Sequence, residues 1–312
     1  MAESPIFKTL TLIGIGLIGS SIARRARADG LVSEIRITTR SSETLEKAKE
    51  LGLGDRYFTE VEDAVCEADC VILCAPVGAY GAIAEAIGPH LKQGAILTDV
   101  GSVKGLVDDV VRPHVPDGVH LVPAHPIAGT EYSGPAAGFE TLFDNRWCLL
   151  TPNDDDDSKA IEKITRFWQA LGSNVDIMTA KHHDLVLAVV SHLPHLIAYN
   201  IVGTASDLEE VTQSEVIKYS ASGFRDFTRI AASDPTTWRD VFLNNRSAVL
   251  EMLTRFSEDL SRLQRAVRWG DGDLLFEHFS RTRAVRSGII DAGQDLEEAN
   301  FGRHLPENQR GS

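Results

Sequence analysis

The chain has 312 residues, 43% apolar and 24% charged, enough for two cores of ordinary size in a soluble globular protein. A formal charge of −14, from 45 acidic and 31 basic residues, argues against nucleic acid or an anionic membrane as partner. Any anionic ligand must then be met by locally placed Arg or Lys.

The opening MAESPIFKTL has an acid at position 3 and no leader-like apolar stretch. The longest apolar run, LVLAVV at 185–190, is too short to span a bilayer, so a cytoplasmic location is expected. Cys66, Cys70, Cys74 and Cys148 form no CxxC pair and have no His nearby; they read as buried free thiols.

Residues 9–13 read as a buried strand, and GIGLIGSS follows with Gly14, Gly16 and Gly19 in GxGxxG spacing before a helix at 20–28. Gly14 allows the tight turn, Gly16 lets a pyrophosphate approach the backbone, and Gly19 lets helix pack on strand. Leu17 and Ile18 lie in the same turn, where a helix N-terminus offers free N–H groups to phosphate. The next strand, 34–40, ends in Thr39, Arg40, Ser41 and Ser42, with no carboxylate to hold ribose hydroxyls. An Arg beside hydroxyls suits a 2′-phosphate, which favours NADP over NAD. The plainer reading makes Arg40 a solvated charge and Ser41 the N-cap of a helix at 42–51.

Alternation continues with helices at 61–68, 79–91 and 103–112 and strands at 70–76, 95–102 and 120–126. This pattern implies a parallel sheet with helices on both faces and ligands at the strand C-terminal ends. Three loops gather there: Ala75–Pro76–Val77, Gly101 to Lys104, and HPIAGTE from His125 to Glu131. An imidazole just past a strand, followed by Pro and a Gly turn, aims a base at a cleft. Asp154 to Asp157 lacks the ligand spacing of a calcium loop and reads as a solvated lead into a helix at 158–171. A strand at 174–178 closes an expected Rossmann-type domain, 1–178, followed by an all-α domain, 179–312.

The segment from Thr179 to Gly203 is apolar nearly all round, which predicts a helix buried on all sides and kinked at Pro194. His192 and His195 flank that kink; core histidines bonded to backbone are the usual finding. His182 and His183 read as surface residues, because adjacent helical side chains point apart. A zinc site from His182, His192 and His195 lacks a supporting Cys or carboxylate array. Residues 237–268 read as one long helix with a seam of Leu253, Phe256, Leu260, Leu263 and Val267, which calls for a partner and points to a homodimer. A further helix is expected at 273–292, with a polar tail after Gln294. GFRDFTRIAASDPTTWRD supplies Arg225, Asp226, Arg229 and Trp238; its plain reading is an i, i+3 surface ion pair between Asp226 and Arg229.

Together GIGLIGSS, DVGSVKG, HPIAGTE, SHLPH, GFRDFTRIA and SDPTTW resemble the prephenate/arogenate dehydrogenases, the cyclohexadienyl dehydrogenases of tyrosine biosynthesis, over about residues 8–292. A chorismate mutase segment before the similarity and an ACT-like extension after it are not expected. The resemblance implies NAD(P)-dependent oxidative decarboxylation of prephenate to 4-hydroxyphenylpyruvate or of arogenate to tyrosine. It implies His125 as the base for the ring hydroxyl and Ser102 as its orienting partner. It gives Arg229 to the ring carboxylate, His195 to the side chain, and Glu131 and Asp226 to a gating pair. Thr130 joins the substrate set, and Trp238 reaches the site from the other subunit. Arg225 stands where the family usually has Lys. Tyrosine, as product, is an expected competitive inhibitor. Two other readings compete: a β-hydroxyacid or imine reductase, which would place its catalytic Lys or Asp in the helical half, and a non-catalytic NADP-binding sensor.

Overall fold

The computed structural model describes residues 4–130, 132–207 and 222–289. The chain forms two compact units, residues 1–252 and 253–312.

The first unit is built on a parallel sheet. Its strands are β1 (Phe7–Ile13), β2 (Val32–Thr38), β3 (Arg56–Phe58), β4 (Cys70–Leu73), β5 (Ile96–Asp99) and β6 (His120–Val122). The sheet order is β3-β2-β1-β4-β5-β6, the order of dinucleotide-binding sheets. Period-2 alternation assigns β4 to both faces. Cys70 and Ile72 join a core with Ile22, Phe143 and Trp168, whereas Val71 and Leu73 join one with Tyr80, Ile87 and Val111. The covering helices are α1 (Leu17–Ala28), α2 (Ser42–Glu50), α3 (Val61–Val65), α4 (Tyr80–Ile87), α5 (Gly105–Val110) and α6 (Ser158–Ala170). β3 has three partly exposed residues and no apolar run, so its sequence carries little strand signal.

The expected strand over 120–126 is two strands. Pro123 cannot donate to a ladder, and the chain leaves β6 there for a second sheet of β7 (Ala124–Pro126), β8 (Trp147–Leu150) and β9 (Asn174–Ile177). β7 pairs antiparallel with β8, and β8 pairs parallel with β9. His125 therefore lies within a strand and not beyond one.

The acidic run 154–157 leads into α6 as a cap: Asp157 accepts from the Ala160 N–H at 2.8 Å. Asp156 takes both terminal nitrogens of Arg112, at 2.7 and 3.1 Å. Of the four thiols, Cys66 is exposed, contrary to expectation, and Cys74 is partly so; Cys70 and Cys148 are buried.

Next come α7 (Ala180–Leu187), a π-helical stretch Ala188–His192 and α8 (Leu193–Asp207). The π turn adjoins Pro194, whose missing N–H breaks the α-helical ladder; inserting a wider turn there keeps the helix running. Burial on all sides is not observed. This continuous helix, Ala180–Asp207, has a hydropathy of 1.7 in a window only 22% buried, with Leu185, Val189, Val190, Ile201 and Val202 exposed. By length and composition it is apolar enough to cross a membrane, which the six-residue run judged alone did not reveal. The helix 237–268 is likewise two: α10 (Pro235–Asn244), after α9 (Ser222–Thr228), and α11 (Arg246–Trp269). Asn245 breaks it because its side chain is drawn inward, donating to the Asp184 carbonyl at 2.8 Å.

The second unit holds the rest of α11 and α12 (Gly272–Ile289). Of the expected seam, Leu260 and Val267 are exposed and Leu253, Phe256 and Leu263 are half-buried; Trp269, Phe276, Phe279 and Val285 are exposed as well.

Candidate active site

The glycine turn between β1 and α1 behaves as its spacing requires. Gly14 has φ +96°, and a Cβ there would lie 2.7 Å from the Cys74 carbonyl oxygen. A Cβ on Gly19 would lie 2.7 Å from the Gly14 oxygen, so helix and turn meet through bare backbone. A Cβ on Gly16 would meet nothing within 4 Å, which leaves an open cradle where a pyrophosphate must approach. Gly16 is the N-cap of α1 and brings no side-chain hydrogen bond, and the first turn, with Leu17 and Ile18, holds no acid. Those N–H groups and the helix dipole are left for an anion. At the end of β2 Thr39 is half-buried and Arg40, Ser41 and Ser42 are exposed. Ser41 does cap α2, accepting from the Thr44 N–H at 3.2 Å; Arg40 forms no ion pair among the described residues. The residues present thus fit a dinucleotide at the β1–β4 switch point, where the Ala75–Pro76–Val77 turn faces the glycine turn.

Gly101 links this turn to the next loop. A Cβ there would lie 2.7 Å from Val77 Cγ1 and 2.8 Å from the Tyr80 hydroxyl. Beneath it lies a charged pair that sequence reading passed over. Lys104 and Asp99 are fully buried and joined by a short contact. Asp99 also accepts from the Gly101 N–H at 2.8 Å and the Ala124 N–H at 3.1 Å, while Lys104 Nζ donates to the Ala124 carbonyl at 2.7 Å. Both groups of Ala124 are held, and Ala124 precedes His125. The available signal was two charges in an otherwise apolar stretch, ILTDVGSVKG. Ser102 is half-buried in this loop, and no hydrogen bond joins it to His125 among the described residues.

His125 is 8% exposed, and its Nδ1 lies 2.8 Å from His183 Nε2. The surface placement of His183 was wrong: it is fully buried, whereas His182 is exposed, as adjacent helical residues should differ. Its Nδ1 lies 2.9 Å from Asp184 Oδ1. Asp184 accepts from the backbone N–H groups of Lys104 and Gly105, both at 2.8 Å. Burial lowers His125 well below the usual histidine range, and a proton on it would also be opposed by neighbouring His183 and Lys104, so it is neutral near pH 7. Asp184 is held below the usual carboxylate range by its His183 and backbone hydrogen bonds, which outweigh its own burial.

A second group gathers around the π turn. The rings of His195 and Trp238 stack at 3.5 Å and 20° within one chain. His195 Nδ1 donates to the Ser191 carbonyl at 2.9 Å, which leaves Nε2 as an acceptor. Burial, with the Arg229 charge nearby, brings His195 down to about 4. His192 is fully buried, its Nδ1 accepting from Asn245 Nδ2 at 3.1 Å, and burial brings it to about 4. The same Asn245 amide donates to the Asp184 carbonyl at 2.8 Å, which ties this group to the one around His125. Asp226 pairs at 3.4 Å with its neighbour Arg225, both exposed; the expected Asp226–Arg229 surface pair is not formed. Thr130 is half-buried and accepts from the Tyr132 N–H at 3.3 Å. Glu131 lies outside the described residues. No group of three His, Cys, Asp or Glu side chains able to hold a metal occurs among the described residues.

Residues 22–177 match the family model described as prephenate dehydrogenase, nucleotide-binding domain, and 179–281 match prephenate dehydrogenase, dimerization domain. Cyclohexadienyl dehydrogenase of Zymomonas mobilis is 42% identical over 91% of this chain and 97% of its own length. Prephenate dehydrogenase of Bacillus subtilis is 32% identical over 90% of this chain and 76% of its own. Among solved structures, Aquifex aeolicus prephenate dehydrogenase, in complex with hydroxyphenyl propionate and NAD+, superposes with a TM-score of 0.83 at 34% identity, covering 90% of this chain and 98% of that one. Synechocystis arogenate dehydrogenase gives a TM-score of 0.75 at 26% identity over 90% and 99%. With both family models matching in order and a relative 42% identical over nearly its whole length, the chain belongs to the prephenate dehydrogenase family.

Proposed function

We propose that this chain oxidatively decarboxylates prephenate, arogenate or both in tyrosine biosynthesis. The observation that carries the reading is His125: neutral, almost buried, its Nδ1 engaged, and its Nε2 with no partner among the described residues. Such a nitrogen takes the proton of a ring hydroxyl as carbonyl character develops there, a contribution of about 10²–10⁴-fold. The dinucleotide, when bound, supplies the hydride acceptor. Gly16 and the α1 N-terminus would receive its pyrophosphate, Ala75 to Val77 would flank it, and Thr39 to Ser42 would meet its ribose. The absence of an acid there supports NADP over NAD.

Arg229 holds the ring carboxylate by its guanidinium fork, gripping it without stabilising it so far that carbon dioxide cannot leave. His195, stacked on Trp238, receives the substrate side chain; Ser102 orients the hydroxyl; Thr130, Glu131 and Asp226 close the polar rim. The working division is then 1–178 for cofactor and 179–312 for substrate and assembly. The exposed apolar face of Ala180–Asp207 is covered by a second copy, making a homodimer, and the protein acts in the cytoplasm. Tyrosine occupies the same pocket as a competitive inhibitor.

The test follows absorbance at 340 nm with each substrate and each cofactor. NADP-dependent turnover of either substrate is expected. Tight NADP binding with turnover of neither overturns the reading. Tyrosine should raise KM without changing kcat.

A further inference from the structure

We infer that His183, anchored by Asp184, sets which nitrogen of His125 carries the proton, leaving Nε2 as the bare nitrogen that faces substrate. The inference rests on His125 being the base, as proposed above, but its first readout needs no substrate.

Asp184 Oδ1 and Oδ2 each receive a backbone N–H, from Lys104 and Gly105 at 2.8 Å. A carboxylate so placed is ionised and can only accept. His183 Nδ1, 2.9 Å from Oδ1, must therefore be the protonated nitrogen of that ring. His183 is fully buried, and burial lowers its affinity for a second proton, so its Nε2 is a lone pair. That lone pair lies 2.8 Å from His125 Nδ1. Two lone pairs do not approach so closely, so His125 Nδ1 carries hydrogen and donates. A neutral imidazole has one N–H. The other nitrogen of His125, Nε2, is then the acceptor, whatever the pH above its own titration.

The tautomer matters because the opposite one presents an N–H to the substrate hydroxyl and cannot remove its proton. When Nε2 takes that proton, His125 becomes an imidazolium whose Nδ1–H still meets a lone pair, with the Asp184 charge one ring further on. Among the described residues, Lys104, Asp99, His192 and the buried Cys148 thiol are the other charged or titratable groups near the ring. Lys104 and Asp99 hold the Ala124 backbone, and the Asn245 amide donates to both the Asp184 carbonyl and His192. None of these supplies an alternative acceptor to His125 Nδ1. His183 is accordingly a positioning residue.

The experiment reads His125 directly. Long-range 1H–15N correlation on ring-labelled protein, assigned with His125→Gln, reports which nitrogen is protonated at neutral pH. The Nδ1–H form is expected in the unmodified protein. The Nε2–H form there overturns the proposal, whether or not the enzyme turns over either substrate. His183→Leu removes the acceptor, and His183→Gln can return a carbonyl oxygen near the Nε2 position. The Leu variant should shift His125 toward Nε2–H and lower kcat on the order of 10²-fold. KM for substrate and cofactor should stay within about twofold, as befits a loss confined to the chemical step. The Gln variant should recover the Nδ1–H signal and most of kcat. A Leu variant that is folded by circular dichroism and keeps both tautomer and kcat overturns the proposal. Should it not fold, the unmodified protein and the Gln variant still decide.

Discussion

Removing the Lys104 charge tests what the buried pair does. In Lys104→Met, Asp99 keeps the N–H groups of Gly101 and Ala124 but loses its cation, and the Ala124 carbonyl loses its donor. Both partners are fully buried, so solvent does not screen the loss. Breaking a buried pair from one side costs about 3–5 kcal/mol, chiefly because a charge is left stranded. For a unit of 252 residues this lowers Tm by roughly 6–20 °C. Asp99→Asn with Lys104→Met removes the stranded charge and should be more stable than Lys104→Met alone. Thermal and urea melts of the three proteins measure this. A Lys104→Met protein that melts within about 2 °C of its parent refutes the argument. So does a double variant that is less stable than the single one. Because the Ala124 anchor adjoins His125, kcat should fall in Lys104→Met more than cofactor affinity does.

Gly16→Ala should leave Tm nearly unchanged, because its Cβ meets nothing, yet weaken dinucleotide binding where the pyrophosphate must approach. Gly19→Ala should instead destabilise, because its Cβ would sit 2.7 Å from the Gly14 oxygen; melting and cofactor titration separate the two. Arg40→Asp should shift the ratio of kcat/KM values from NADP toward NAD, and an unchanged ratio removes Arg40 from the ribose site. Acid should destabilise the fold early. His192 is fully buried and takes up its proton near 4, whereas in the unfolded chain it does so near 6.5. Stability is therefore whole above 6.5 and erodes as pH falls to about 4, by about 3 kcal/mol for this ring alone. His125 and His183 are displaced in the same direction and add to it. Melts flat between pH 7 and 4.5 would contradict this, and His192→Gln should shallow the slope.

Much of this protein is written locally. Gly14, Gly16 and Gly19 could be given separate jobs from spacing alone, because each job depends on backbone a few residues away and on one neighbouring strand. Strand–helix alternation implied the sheet, since period and element length are local properties. The motifs around Ser102, His125, His195 and Arg229 pointed to the family because each is a short contiguous string. Element boundaries set by distant partners were not legible in this way. Pro123 moves the chain between sheets, and Asn245 ends a helix because Asp184 and His192 lie beneath it.

Nor could the sequence order His182 and His183, two identical side chains side by side. Only docking of α7 against the Lys104 loop turns one to solvent and buries the other against His125. The reason is physical. Burial, and the hydrogen bonds that set a tautomer or sustain a buried charge, come from whatever packs opposite a residue, and for His125 that neighbour lies 58 positions along the chain.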